Sequence, residues 1–165
     1  MNKKKYLSGW GRYPFYKTQL SEPESLEEIK KAISFGKSIA RGNGSSYGDS
    51  AINRLNTISM RNFNNILDFN SDSGLLIVQS GILLFDIIEK FLPKGWFSFV
   101  TPGTKFVTVG GMVSSDVHGK NHYKDGSFGK YIEWIDLMNS DGKILRCSKS
   151  KNSKLYYWIY LVVFS

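Results

Sequence analysis

Two clusters of glycine mark where this sequence could bind an anion. The first runs from Arg41 to Ser50 and contains three glycines among small polar residues. After a strand, such a loop can turn its backbone N–H groups into a concavity that accepts phosphate oxygens, and serine hydroxyls add donors. A surface loop with no ligand is the structural alternative, and the local pattern alone leaves it open.

The second cluster lies between Pro102 and Met112 and ends in the pair Gly110 and Gly111. We expect this pair to enter a helix over Met112–Val117, whose free amides and N-terminus would attract an anion. Close packing of the helix against a neighbour is the alternative. Two such clusters in one chain favour a ligand that carries a diphosphate.

The densest set of reactive side chains lies at residues 116–122, where His118, Lys120 and His122 stand close together. A polar active-site segment is the functional interpretation, and a structural role for the histidines is the alternative. Two histidines four residues apart could ligate zinc on a helix, but Gly119 interrupts any helix there. We therefore expect no metal site.

Two familiar phosphate motifs are absent. The Gly-Lys-Ser sequence at residues 36–38 resembles the end of a P-loop, but Lys31 stands where the first glycine is required. The first glycine loop does not continue as a dinucleotide fingerprint, because Tyr47 replaces the third glycine. The single cysteine, Cys147, excludes an internal disulfide and reads as a packed strand residue.

Composition indicates a folded, basic protein. The chain has 165 residues, of which 41% are hydrophobic, and a net charge of +8 that suits phosphate-bearing ligands of any kind. Only Lys3–Lys5 is clustered, and we expect it to be a solvated tail, so no nucleic-acid partner is expected.

No apolar run approaches the roughly 20 residues that span a bilayer. No secretion signal follows the lysines. The expected location is cytoplasmic, or peripheral at the inner membrane face.

Local signals predict a mixture of helices and strands. Proline and acidic residues at Glu22–Ser25 predict the start of a helix that stops at Gly36. The other predicted elements are a helix over Leu83–Leu92, strands at Ser38–Arg41, Leu55–Met60, Ile66–Phe69, Leu75–Gln79 and Trp96–Val100, and a hairpin of residues 131–139 and 143–148. This mixture predicts an α+β fold, and no linker or repeat is evident.

Four ordered motifs resemble the FAD-binding domain of the vanillyl-alcohol-oxidase/p-cresol-methylhydroxylase flavoprotein superfamily. They are Gly9–Arg12, Ala40–Asp49, Pro102–Gly111 and His118–Gly129. The resemblance covers about residues 8 to 158 and is nearest to the decaprenylphosphoryl-β-D-ribose oxidase branch. It implies a two-lobed, PCMH-type FAD-binding domain over residues 1–165. The N-terminal lobe would reach about residue 100 and the second would begin at about residue 101.

The resemblance also implies a site. FAD would be bound non-covalently, because Ser45 stands where some relatives carry a histidine joined to the flavin. The implied cofactor-binding residues are Arg41, Gly42, Asn43, Gly44, Ser45, Ser46, Tyr47, Gly48, Asp49, Ser50, Gly103, Thr104, Thr108, Val109, Gly110, Gly111 and His118. His118 and Lys120 are the catalytic candidates, and His118 matches a histidine that lies against the flavin in that family.

The implied activity is oxidation of a sugar hydroxyl to a ketone, with hydride transfer to the flavin. The implied substrate is a sugar or polyprenyl-phosphosugar, such as decaprenylphosphoryl ribose in cell-wall arabinose synthesis, with a partner reductase completing an epimerisation. The apolar residues 159–164 depart from the glycine-rich continuation of the family. We therefore expect a truncated chain without the substrate (cap) domain. A second polypeptide or a missing C-terminal domain would complete the site, and the chain alone could be inactive.

Three other interpretations remain open from the sequence. An alditol or aldonolactone oxidase would have the same chemistry with another substrate. A basic, aromatic-rich module could bind nucleic acid without catalysis, and Tyr13–Lys17 offers a short instance of that pattern. A degenerate chain would fold poorly and have no activity.

Overall fold

The computed structural model describes residues 3–161. In chain order the elements are β1 (Lys3–Leu7), β2 (Tyr16–Ser21), α1 (Leu26–Ser34), β3 (Ile39–Arg41), β4 (Thr57–Ser59), β5 (Ile66–Phe69), β6 (Leu76–Val78), α2 (Leu84–Phe91), α3 (Val109–Ser114), α4 (His122–Asp125), β7 (Trp134–Met138), β8 (Ile144–Ser148) and α5 (Ser153–Leu161). Short 3-10 turns occupy Leu92–Lys94 and Phe128–Tyr131. No helix among the described residues is long and apolar enough to cross a membrane.

The chain divides into two compact units. The first extends to Leu83 and includes Phe106–Gly111, and the second comprises Leu84–Lys105 and the residues from Met112 onward. The chain therefore passes between the units three times, once within α3, which explains why no linker-like sequence marks the division. The lobe boundary expected near residue 100 stays a prediction.

The first unit contains a four-stranded sheet in the order β1-β2-β4-β3. β1 and β2 pair antiparallel, whereas β2 and β3 each run parallel to β4. α1 lies in the chain between β2 and β3, as a crossover between parallel strands requires. Lys3–Lys5 is not the solvated tail expected from the sequence, because it forms most of β1, where its side chains are exposed. β5 and β6 form a separate antiparallel hairpin.

A buried asparagine ties α1 to this sheet. The Asn56 side chain donates a 2.8 Å hydrogen bond to the Ala32 carbonyl and accepts a 3.0 Å bond from the Ser21 hydroxyl. At the other end, the Ser25 hydroxyl accepts a hydrogen bond from the Glu28 amide, as an N-cap should. These bonds satisfy backbone groups that helix ends otherwise leave unpaired, and so fix the position from which β3 begins.

The second unit packs α5 against the hairpin of β7 and β8. Ile132, Cys147 and Tyr156 form its buried cluster, and the Tyr156 hydroxyl donates to the Ile132 carbonyl. Cys147 is fully buried, which confirms the packed strand residue expected from the sequence, and this burial raises the pKa of its thiol. α5 therefore closes the apolar face of the hairpin.

The α+β class is confirmed, and so are most local predictions. The predicted strand Ile66–Phe69 and the hairpin across residue 140 appear as expected. The strand predicted at Trp96–Val100 is wrong. These residues alternate between exposed and partly or fully buried, but no strand among the described residues pairs with them. The helix predicted over Met112–Val117 begins earlier, at Val109.

Candidate functional site

The first glycine cluster forms the loop that follows β3. Gly44 has a φ of +75°, a conformation that side-chain-bearing residues rarely adopt. The Trp10 amide donates a 2.8 Å hydrogen bond to the Ser46 carbonyl, so the segment before β2 lies against the loop. At the far end, the Ser50 hydroxyl donates to the Tyr47 carbonyl at 2.9 Å and closes a turn that leaves Tyr47 exposed. The loop is thus held near its middle, at Ser46, and at its far end.

Arg41 is folded behind this loop. Its guanidinium donates to the Ser8 carbonyl at 2.7 Å and to the Ala51 carbonyl at 3.4 Å. A Cβ on Gly44 would lie 3.0 Å from the Arg41 Cζ. Burial lowers the pKa of Arg41, and no carboxylate within residues 3–161 lies at ion-pair distance from it. Its positive charge is therefore uncompensated beside the loop.

The end of the second cluster meets this loop inside the first unit. The Asn43 side-chain amide donates to the Phe106 carbonyl at 2.8 Å, and the Ser45 hydroxyl donates to the same oxygen at 3.4 Å. A Cβ on Gly42 would overlap the side chain of Thr108, which is itself buried. The structure therefore brings together residues 42–45 and 106–108, which are more than 60 positions apart in the sequence.

The backbone amides of the second cluster are already bonded. The Val109 amide donates to the Ile82 carbonyl at 2.9 Å, and the Gly110 amide donates to the Ser80 carbonyl at 2.8 Å. The Gly111 amide donates to the Thr108 hydroxyl oxygen at 3.2 Å. The expectation of free amides here is therefore wrong. Gly110 instead fits the alternative of close packing, because a Cβ added to it would lie 2.9 Å from the Ser80 Cβ.

A polar hollow opens beside the first glycine loop. Its volume is about 500 Å³, and it is lined by Ser8, Gly9, Trp10, Arg12, Arg41 and Gly44. The residues from Gly9 to Arg12 belong to one of the four family-like motifs, but the sequence alone assigns them no role. The motif itself, Gly-Trp-Gly-Arg, was the signal that could have found them.

The remaining candidates belong to the second unit. Gly103 is exposed and Thr104 is partly buried. His118 and Lys120 are both exposed, on either side of the buried Gly119. A Cβ on Gly119 would lie 2.7 Å from the Thr101 carbonyl oxygen, so the backbone at Gly119 packs closely against that of Thr101. The side chains of His118 and Lys120, on either side of this contact, remain exposed.

Hydrogen bonds to side chains stabilise the segment that carries His118. Asp116 accepts a 2.7 Å bond from the Gly129 amide, and Asn121 donates to the Phe99 carbonyl at 3.0 Å and to Asp125 at 2.6 Å. Asp116 and Asp125 therefore both accept hydrogen bonds from neutral groups. The cationic side chain of Lys120 forms no salt bridge in the described part of the chain.

His118 and His122 lie next to each other. Their ring centroids are 5.1 Å apart and the rings are tilted by 55°. His118 also forms an isolated β-bridge with Ser127, which fixes its backbone. Among the residues that the structure describes, no group of three or more His, Cys, Asp or Glu side chains is arranged to hold a metal ion. The segment therefore presents an exposed imidazole on a fixed backbone.

Comparison with known proteins identifies the family. The sequence pattern of the family described as "FAD binding domain" matches residues 18–148. The chain belongs to this FAD-binding domain family. FAD is thus the cofactor of this FAD-binding domain, in agreement with the resemblance seen in the sequence.

The FAD-binding domain is also similar to named oxidases. It is 36% identical over 161 residues to decaprenylphosphoryl-β-D-ribose oxidase of Mycolicibacterium smegmatis, covering 93% of this chain and 35% of that protein. It is 26% identical over 140 residues to L-gulonolactone oxidase of Mus musculus, covering 82% of this chain and 32% of that protein. The chain thus spans about a third of the length of these curated relatives.

A solved structure shows the same fold. The Physcomitrella patens BBE-like 1 variant D396N superposes with a TM-score of 0.81 at 18% identity, covering 92% of this chain and 34% of that one. The FAD-binding domain therefore has the PCMH-type architecture expected from the resemblance.

Proposed function

We propose that the loop from Arg41 to Ser50, together with Thr108, binds the diphosphate of FAD. The left-handed conformation of Gly44 gives the loop a turn that few other residues allow, and Thr108 packs into the space left by the absent side chain of Gly42. The half-buried charge of Arg41 favours an anion beside Gly44. These features fit a diphosphate, and no lysine is needed to balance it.

The loop would hold FAD without a covalent bond. Ser45 is partly buried, and its hydroxyl donates to the Phe106 carbonyl. A serine hydroxyl at this position offers no imidazole nitrogen for attachment to a flavin. The other proposed contacts of the first unit, from Ser46 to Ser50, lie along the same loop, and Val109–Gly111 support it from the second cluster.

The proposed reaction is oxidation of a sugar hydroxyl to a ketone, of the decaprenylphosphoryl-ribose 2′-oxidase type. The similarity at 36% identity across 93% of the chain carries this proposal. Bound FAD would supply the hydride acceptor. The protein would position the reacting C–H bond and polarise the hydroxyl that loses its proton.

His118 is the proposed polarising residue. Its exposed ring lies on a backbone fixed by the bridge to Ser127, so the imidazole is available to a substrate hydroxyl. Lys120 is the second candidate, because its exposed ammonium would attract an anionic substrate such as a phosphosugar. Gly103 and Thr104 are proposed as further cofactor contacts of the second unit.

A lactone or alditol oxidase is the second candidate function. The similarity to L-gulonolactone oxidase supports it, at lower identity and coverage. Both candidates oxidise a C–OH group and differ in the substrate. For the first candidate, the membrane-linked substrate suggests that the protein acts at the inner membrane face. A reductase would then be its partner in the epimerisation. Further protein, in the same or another polypeptide, would complete the active site.

The first experiment is a visible absorption spectrum of the purified protein, followed by titration with FAD. A flavin spectrum whose chromophore is released on denaturation would support the site and the non-covalent link. A folded protein that does not bind FAD would contradict the proposed site. Anaerobic mixing of the FAD-loaded protein with a decaprenylphosphoryl-ribose analogue, an aldonolactone and an alditol would then distinguish the substrates by loss of the oxidised flavin absorbance.

A further inference from the structure

The hollow beside the glycine loop has two walls, and the two are built from distant parts of the sequence. One wall is the loop itself, represented by Arg41 and Gly44, and the other is the segment from Ser8 to Arg12. The bond from the Trp10 amide to the Ser46 carbonyl joins the walls at one point, and the bond from Arg41 to the Ser8 carbonyl joins them at a second. The hollow is therefore a fixed structural feature.

Both walls carry a guanidinium group without an acidic partner. Neither Arg12 nor Arg41 forms an ion pair with any carboxylate in residues 3–161. Arg41 is bonded to two carbonyl oxygens, whereas the side chain of Arg12 has no hydrogen bond to another described residue. The Arg12 backbone is held instead, because its amide donates to the Gly9 carbonyl at 3.0 Å.

We infer that Arg12 is an anion-binding residue of the cofactor site, with Arg41 as the positioning residue of the loop opposite. The ligand is the diphosphate of a nucleotide, and the inference rests on the proposed function of the glycine loop. A guanidinium presents several N–H donors in a planar fork that suits phosphate oxygens. The side chain of Arg12 is free to make such bonds, whereas the guanidinium of Arg41 already donates to the Ser8 and Ala51 carbonyls on either side of the loop.

The conformation of Arg12 guides the choice of variant. Its φ is +57°, in the left-handed region that asparagine tolerates better than most residues. Arg12→Asn therefore removes the charge with little added backbone strain. Arg12→Lys keeps the charge and loses the planar fork. Arg54→Asn is the matched control, because Arg54 lies in the same unit, stacks on the Tyr16 ring at 4.2 Å and does not line the hollow.

The experiment measures dissociation constants of FAD, ADP and inorganic pyrophosphate for the protein and its three variants at low and moderate salt. For all three ligands, Arg12→Asn should weaken binding by about tenfold, the factor that corresponds to 1.4 kcal/mol. Its binding should also depend less on salt. Arg12→Lys should recover part of the affinity, and Arg54→Asn should match the original protein. Far-UV circular dichroism confirms that each variant is folded.

The outcomes separate this inference from the proposed function. If the original protein binds FAD and the Arg12→Asn and Arg54→Asn variants bind it with equal affinity, the role of Arg12 is overturned. The glycine-loop site would then still stand. Binding of ADP and pyrophosphate through Arg12 without binding of FAD would support the anion site and contradict the flavin function. Binding of none of the three by the original protein would overturn both. If Arg12→Asn fails to fold, unchanged affinities in Arg12→Lys would overturn the inference, and a severalfold loss would support it.

Discussion

Thr108 fills the space that a side chain on Gly42 would occupy. The two residues come from different glycine clusters, and their contact is one of the points at which these clusters meet in the first unit. Because Thr108 is buried, it has little room to move aside. The absence of a side chain at residue 42 is therefore a packing requirement as well as a feature of a ligand loop.

The contact between Gly42 and Thr108 predicts a coupled pair of substitutions. Gly42→Ala should destabilise the protein by about 1 to 3 kcal/mol, the usual cost of overpacking. Thr108→Ala removes the hydroxyl and methyl groups in the way, so the double variant should lose less than the sum of the single variants. Denaturant unfolding of all four proteins measures the coupling. Strict additivity would show that Thr108 does not exclude the side chain.

The conformation of Gly44 predicts a loss of FAD binding in Gly44→Val. A β-branched residue at a φ of +75° is strained, and its Cβ would also press on the Arg41 guanidinium. Gly36→Val is the control, because Gly36 has a φ of +109° with nothing within 4 Å of its added Cβ. Both variants should lose stability in thermal melts, but only Gly44→Val should fail to bind FAD. Equal FAD affinities in the two variants would contradict the loop assignment.

The proposed role of His118 predicts a split between binding and chemistry. His118→Ala should leave the FAD affinity close to that of the original protein. It should slow reduction of the bound flavin by substrate by about a hundredfold, as loss of one oriented donor does in other enzymes. His122→Ala tests whether the neighbouring ring, 5.1 Å away, is required as well. Unchanged flavin reduction in His118→Ala would remove His118 from the mechanism.

The buried hydroxyl of Tyr156 predicts a stability effect in the second unit. Tyr156→Phe leaves the Ile132 carbonyl without its donor, which should cost about 1 to 3 kcal/mol in the free energy of unfolding. Tyr157→Phe is the matched control, because Tyr157 is 40% exposed. Urea denaturation of both variants measures the difference. If the two variants were equally stable, the bond to Ile132 would have no net contribution.

The burial of Cys147 predicts low thiol reactivity in the folded protein. Burial raises the pKa of this thiol, so the reactive thiolate forms only at higher pH than in a free cysteine. Alkylation by iodoacetamide at pH 8 should therefore be slow in the native state and fast in denaturant. Rapid alkylation of the native protein would show that β8 opens readily.

Local signals predicted much of the fold. The bounds of α1 follow from the proline and acids before it and from Gly36 after it, and the β7–β8 hairpin follows from its turn. Pairing between distant segments was harder to predict. The strand β1 consists mainly of lysines, which are poor strand formers, and it exists because β2 lies beside it. Conversely, residues 96–100 alternate like a strand, but no strand of the described chain pairs with them.

The candidate site was predictable to a similar degree. The glycine loop is evident from its composition, because few other residues tolerate the φ of Gly44. The hydrogen bonds of the Val109 and Gly110 amides are not evident from the sequence. Their acceptors, Ile82 and Ser80, lie about 30 residues earlier, and nothing local indicates the pairing. The same is true of Arg41, whose contact with Ser8 spans 33 positions.

The lysines of β1 have a consequence for solubility. β1 lies at the edge of its sheet as the structure describes it, so its outer backbone groups could template pairing with a second chain. Lys3 and Lys4 place positive charges along that edge, whereas Lys5 pairs with Glu22 at 3.7 Å. Two such edges carry like charge and repel each other when they approach. We therefore expect the Lys3–Lys5 run, which resembles a solvated tail in the sequence, to disfavour edge-to-edge aggregation.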